Sequence, residues 1–228
     1  MKNLSALILA AGVALSGFFI YMGISDFSNK DRYVTVRGLS ERQVLADKAT
    51  WNLSSSLSGN NIESLYARLE PQMQQVIAFL KSKGVTDDEI FRQAPTVYDR
   101  SEMYEWEKKR AYMDQYEVSG HLTIVSTDVE KIRNLYLNQL DLMQAGVTIE
   151  SYNSPSYEYM GLNDLKPEMV EEATRNARIV GDKFAADAKC TLGSIRSARQ
   201  GQFEVYSDDI LPHLRNVRVV TTIEYYLK

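Results

Sequence analysis

Two histidines, one cysteine and two short acidic runs are the side chains of this 228-residue chain with the types needed for metal, proton or nucleophile chemistry. A metal site needs several of these groups to converge, and a nucleophile needs a base beside it. His121 falls on the polar side of a strand pattern and His213 in a loop beside Pro212. Neither has Cys, Asp or Glu at ligand spacing, so both read as solvated surface histidines. Cys190 follows a helix end, where the helix dipole disfavours a thiolate, and as the single cysteine it forms no intramolecular disulfide. Asp87-Asp88-Glu89 and Asp208-Asp209 sit at predicted turns, whose carboxylates hold local backbone amides. No GxSxG elbow, phosphate loop, HExxH or GxGxxG pattern occurs in a fitting context. No catalytic residue, metal or cofactor is expected, and the chain reads as a non-enzyme.

The most unusual composition lies between Tyr98 and Tyr116. There Met103, Tyr104, Trp106, Tyr112 and Met113 interleave with charges of both signs. Tyr, Trp, Met and Arg are enriched at the centres of protein interfaces. The plain alternative is a long β-hairpin whose cross-strand aromatics pack on one another. Tyr104, Trp106, Tyr112 and Met113 are taken as the candidate contact surface.

The elements that position these groups follow from periodicity. Tyr33–Gly38 alternates as a strand ending in a glycine turn, and residues 49–57 place Trp51, Leu53 and Leu57 on one face. Asn60 and Asn61 cap a helix whose apolar row is Ile62, Leu65, Leu69, Met73, Val76 and Leu80, with Gly84 as its end. Pro71 should kink or split that helix. Residues 90–98 and 116–125 read as strands, 128–144 as a helix ended by Gly146, and 147–152 and 157–160 as strands. The longest helix spans 164–189, with Met169, Ala173, Ala177, Val180, Phe184 and Ala188 inward. Residues 195–198, 203–206 and 216–227 complete the set as strands. Helices mixed with neighbouring strands give an α+β fold: two layers, mainly antiparallel sheet packed with about three helices. The 200 or so residues involved suit one domain or two fused halves.

From Asn3 to Ser25 there is no charged side chain, long enough for a helix crossing about 30 Å of hydrocarbon. The segment reads as a cleaved signal peptide or as an uncleaved anchor. The anchor is favoured, because cleavage near Ser16 would leave Phe18, Phe19, Ile20, Tyr21 and Met22 on a soluble protein. Net charge is −4 with no basic stripe, which argues against nucleic acid. The organisation expected is residues 1–25 as anchor or signal peptide, 26–32 as linker and 33–228 as the folded part.

This arrangement resembles the SIMPL domain, formerly a domain of unknown function. The likeness rests on Val34-Thr-Val-Arg-Gly38 followed by Ala46-Asp47-Lys-Ala-Thr50, and on Leu80-Lys-Ser-Lys-Gly-Val85 with Asp87–Ile90. It continues through the strand–helix unit 122–146. It is best in Glu172–Arg178, Asp182–Ala186 and the Leu192-Gly193 ending. The sequence departs at Leu39, where many members have a second glycine, and at Pro71. The resemblance implies an exported protein without established catalytic residues. Some members form ring-like or channel-like oligomers, several are linked to stress tolerance, and a mammalian relative is a signalling adaptor. The resulting expectation is a single-pass inner-membrane protein with its C-terminal domain in the periplasm. It would act as a homo-oligomer or with an envelope protein partner; the alternative is a periplasmic small-ligand binding module.

Overall fold

The computed structural model describes residues 12–22, 32–100, 114–141, 154–208 and 210–228. Helix α1 covers residues 12–22, all exposed. There follow β1 (Tyr33–Leu45), β2 (Lys48–Gly59), α2 (Ile62–Ser82), a 3-10 turn (Asp87–Glu89), β3 (Ile90–Arg92) and β4 (Thr96–Asp99). After these come β5 (Tyr116–Ser126), α3 (Val129–Leu137), β6 (Ser156–Glu158), α4 (Leu162–Asp187), β7 (Leu192–Gln200), β8 (Glu204–Ser207) and β9 (Leu214–Leu227). The fold is α+β with antiparallel sheets. Among the described residues, no helix is long and apolar enough to cross a membrane.

The chain divides into two compact units. One comprises Gln43–Leu162 with Tyr206–Arg215, and its sheet order is β3-β5-β2-β6, with β4 also on β5. Every pairing is antiparallel, and with β3 and β4 counted together as the one interrupted neighbour of β5 the element order is β-α-β-β-α-β. The β2–β5 ladder runs from Ala49 opposite Ser126 to Gly59 opposite Tyr116. Its inward side chains Trp51, Leu53, Val118, Leu122 and Ile124 meet Leu65, Leu69, Met73, Val76 and Leu80 of α2 and Ile132 of α3. Asn61 caps α2, its side chain accepting from the Ser64 amide at 2.9 Å, and Gly84 follows with φ +88°.

Pro71 does not split this helix, contrary to expectation: α2 runs unbroken, with buried Leu69 before it and Met73 after it. Pro71 lies on the exposed face, so water can take the carbonyl its missing N–H leaves free. A second proline does act as a breaker. Residues 90–98 are two strands, not one, because Ala94-Pro95 leaves the ladder between β3 and β4, the Gln93 amide still donating to the His121 carbonyl of β5 at 3.1 Å.

The other unit comprises the chain up to Arg42, Asn163–Val205 and Asn216–Lys228. Its sheet has the order β1-β9-β7, with β8 beside β9, and α4 packs on one face. Gly38 is not a turn, as expected from sequence, but the middle of the long strand β1. A Cβ there would stand 1.8 Å from the Ala173 carbonyl oxygen and 2.4 Å from the Ala177 amide of α4. The buried row of α4 is Met169, Ala173, Ala177, Gly181 and Ala185. The apolar row expected from sequence is corrected here, since Val180 and Phe184 are 49% and 51% exposed. The helix rests on its smallest residues, which admit the backbone of β1 and the side chains of Leu192 and Tyr225. Likewise Gly193 is not a helix ending; it lies inside β7, and Lys189 takes the left-handed φ of 55° after α4.

Residues 147–152 and 142–144 lie outside the described residues, and α3 is described as Val129–Leu137. Substituting Gly38 by Ala should destabilise the fold by about 3 kcal/mol or more, because backbone on both sides must move. A thermal or denaturant melt of Gly38→Ala checks this; a loss below about 1 kcal/mol would contradict the close packing.

Candidate functional site

His213 is not the solvated histidine expected from sequence. Only 7% exposed, it sits in the loop between β8 and β9. The loop is shaped by Asp208, whose carboxylate accepts from the Ile210 and Leu211 amides at 2.8 and 3.0 Å. Those amide bonds hold the Asp208 carboxyl below its ordinary range. The turn reading of this acidic pair therefore holds for Asp208. The His213 carbonyl accepts the Ala46 amide at 2.9 Å, and its ring meets Tyr157 edge-on, 6.3 Å between centroids. Its Nε2 lies 3.9 Å from Glu130 Oε1, and Glu130 also pairs with Arg133 at 3.1 Å.

Around this histidine is a cavity of about 230 Å³ lined by Arg133, Tyr136, Tyr157, Leu211, Pro212 and His213, among others. Its walls come from α3, β6 and the β8–β9 loop, and Trp51 supports Tyr136 edge-on at 6.1 Å. Burial pushes the Tyr157 phenol up, with Glu130 adding to it and Arg133 opposing it. An apolar, aromatic floor with one guanidinium at its rim suits a small aromatic or aliphatic acid. Sequence reasoning missed the site because Glu130, Arg133, Tyr157 and His213 come from distant segments. The only signal was a histidine beside a proline.

His121 lies on the polar face of β5, half-buried, with Nε2 3.1 Å from Thr96 Oγ1. Cys190 donates its thiol to the Ala185 carbonyl at 3.4 Å. No group of His, Cys, Asp or Glu able to hold a metal occurs among the described residues. Tyr104, Trp106, Tyr112 and Met113 lie outside the described residues. Their frame is described: β4 pairs with β5 from Thr96–Ser119 to Asp99–Tyr116, and the Arg100 amide donates to the Gln115 carbonyl at 2.8 Å. The segment expected to form a contact surface thus joins the arms of a real hairpin.

Two carboxylates turn out to hold the scaffold together. The Asp47 carboxylate accepts the Met160 and Gly161 amides at 2.8 and 2.9 Å, fastening the chain after β6 to the start of β2. Glu89 is more than a turn residue: it is half-buried beside α3, bonded to Lys131 Nζ at 2.8 and 2.9 Å, to Ser126 Oγ and to the Thr86 amide at 3.0 Å.

A family model described as "SIMPL: Protein of unknown function (DUF541)" matches residues 34–213. The chain belongs to the SIMPL family. No curated protein matches the chain. The match takes in all of the β-α-β-β-α-β unit, and with it Asp47, Glu89 and His213; of β9 (Leu214–Leu227) it includes nothing. In this SIMPL domain Gly38 packs β1 against α4 and Asp47 clamps the chain after β6, both within the matched residues.

Burial pushes the Glu89 carboxyl up, but the Lys131 ammonium, the Ser126 hydroxyl and the Thr86 amide outweigh it and bring it down to about 2. A depressed acid stabilises the fold above its ordinary value of 4.5, and that contribution fades as pH falls toward about 2. Glu89→Gln should therefore cost about 2 kcal/mol at pH 7, the penalty shrinking below about pH 4. Urea unfolding at several pH values checks it; a penalty constant with pH would contradict the ionic account.

Proposed function

We propose that this SIMPL protein is a non-enzymatic component of the cell envelope that works by self-association or partner binding. The observation that carries the reading is apolar surface left open on α4: Ile179, Val180 and Phe184 are 59%, 49% and 51% exposed. Val180 and Phe184 lie at i and i+4 on one helix face while Ile179 points about 100° away, and apolar side chains paired in the open cost solvation unless something covers them. The aromatic and charged segment 101–113, carried on the β4–β5 hairpin, supports the same reading, with Tyr104, Trp106, Tyr112 and Met113 as contact residues.

The N-terminal segment supports a membrane location for the protein. Exposed Phe18, Phe19, Ile20, Tyr21 and Met22 on α1 are suited to lipid, and the uncharged stretch from Asn3 to Ser25 has the length of a span. In this proposal it anchors the chain in the inner membrane with residues 33–228 in the periplasm, and a role in stress tolerance follows from the family likeness.

Cross-linking in intact envelopes tests the contact surface. Trp106→Ala with Tyr112→Ala should cut the cross-linked oligomer at least threefold without lowering the melting temperature of the purified full chain. An unchanged cross-linking pattern would contradict it. The His213 cavity favours a second reading, binding of a small apolar acid. With benzoate as probe, the full chain should gain about 2 °C or more in melting temperature, and Arg133→Ala should lose that gain. No shift at millimolar benzoate would count against the cavity as a site for small aromatic acids.

A further inference from the structure

The outer edge of β1 is the unfinished part of the sheet. Among the described residues β1 pairs on one side only, with β9. The bond from the Leu227 amide to the Arg32 carbonyl at one end and from the Ala46 amide to the His213 carbonyl at the other keep one register along the strand. Both involve even-numbered residues that flank β1, so the odd-numbered amides and carbonyls from Tyr33 to Leu45 point away from β9. Other edges are blunted in ways that resist strand addition: β3 and β6 have three residues each, and β7 carries two register shifts. β1 has 13 residues and neither shortness nor a register shift, and its outer edge is met only at the Leu39 carbonyl, by the Asn176 side chain of α4, among the described contacts.

The side chains along that edge are complementary to themselves. Tyr33, Thr35, Arg37, Leu39, Glu41, Gln43 and Leu45 are the exposed positions of β1. Running a second β1 antiparallel with Leu39 opposite Leu39 sets Arg37 opposite Glu41, Thr35 opposite Gln43 and Tyr33 opposite Leu45. Every cross-strand pair is then matched in kind: ionic, polar or apolar. A shift by two residues would lose all of these matches at once.

A second, independent feature marks the same edge. Asn176 donates its side-chain amide to the Leu39 carbonyl at 2.8 Å, so the stripe of α4 on which it lies overhangs the outer side of β1. Val180 and Phe184 continue that stripe at i+4 and i+8, and both are half exposed. They read as core residues in the sequence and lack only the strand that would cover them. The Leu39 carbonyl has a second lone pair for an incoming amide.

We propose that two copies of this chain join β1 to β1 about a two-fold axis through Leu39, making one continuous sheet with the two α4 stripes facing each other. The occupant of the edge is a second copy because the matching is of the strand with itself. This rests on the self-association proposed above and identifies its seam.

The test uses the full chain in detergent with Cys190→Ser. Directly opposed residues are about 5.5 Å apart between Cα atoms, within disulfide reach. Leu39→Cys should give a disulfide-linked dimer under mild oxidation. Arg37→Cys alone should give none, since its own counterpart is four residues along, about 13 Å away. Arg37→Cys mixed with Glu41→Cys should cross-link. Arg37→Glu should reduce the assembled mass at least twofold, and Arg37→Glu with Glu41→Arg should restore it. If the chain is oligomeric yet Leu39→Cys stays unlinked and Arg37→Glu leaves the mass unchanged, the seam is overturned while self-association stands. If the chain is monomeric at every concentration, both fall.

Discussion

The close seating of α4 on β1 governs the unit built on β1, β9 and β7. Gly38 has no room for a methyl group, and Ala173, Ala177 and Gly181 offer none of their own. A helix brought this near a sheet contacts it through backbone and small side chains, so its larger residues are turned aside. That is why Val180 and Phe184, apolar and correctly spaced for a core, end at the rim. The polar contacts follow the same line: Ser40 and Arg42 of β1 both bond Glu172, and Arg42 also pairs with Glu168 at 2.8 Å. The Arg42 ion pairs, exposed to solvent, align the helix more than they stabilise it.

The β-α-β-β-α-β unit is built differently. It has a large apolar core around Trp51, with leucines from α2, and its polar network sits at one corner where Glu89, Lys131 and Ser126 meet. Gly120 brings β5 against Met73, and Gly59 at the end of β2 likewise meets Leu65 of α2. Asp47 then ties the chain after β6 back to β2. A carboxylate held at low pKa by an ammonium, a hydroxyl and an amide is well suited to stability and poorly suited to moving protons.

Much of this was legible in the sequence, and the exceptions have physical causes. The alternation in β2 and β5 and the row Leu65–Leu69–Met73–Val76–Leu80 place their residues correctly because a sheet face and a helix stripe each bury one side. Pro71 misled because a proline's effect depends on which face it occupies. Gly38 misled because glycine serves close approach as readily as turns, and local sequence does not distinguish the two. His213 misled because its burial comes from Tyr157, far away in the chain. The α4 row was read as all core because sequence periodicity reports apolar character, and character alone does not say which stripe of the helix the sheet will bury.

The account stands or falls on whether the outer edge of β1 is covered when the protein assembles. Backbone amide exchange across β1, followed over a range of protein concentrations in detergent, measures this directly. The odd-numbered amides from Thr35 to Gln43 should exchange slowly in the assembled protein and become fast on dilution, while the even-numbered amides bonded to β9 stay protected throughout. Fast exchange at the odd-numbered positions in a sample that is demonstrably oligomeric would contradict it.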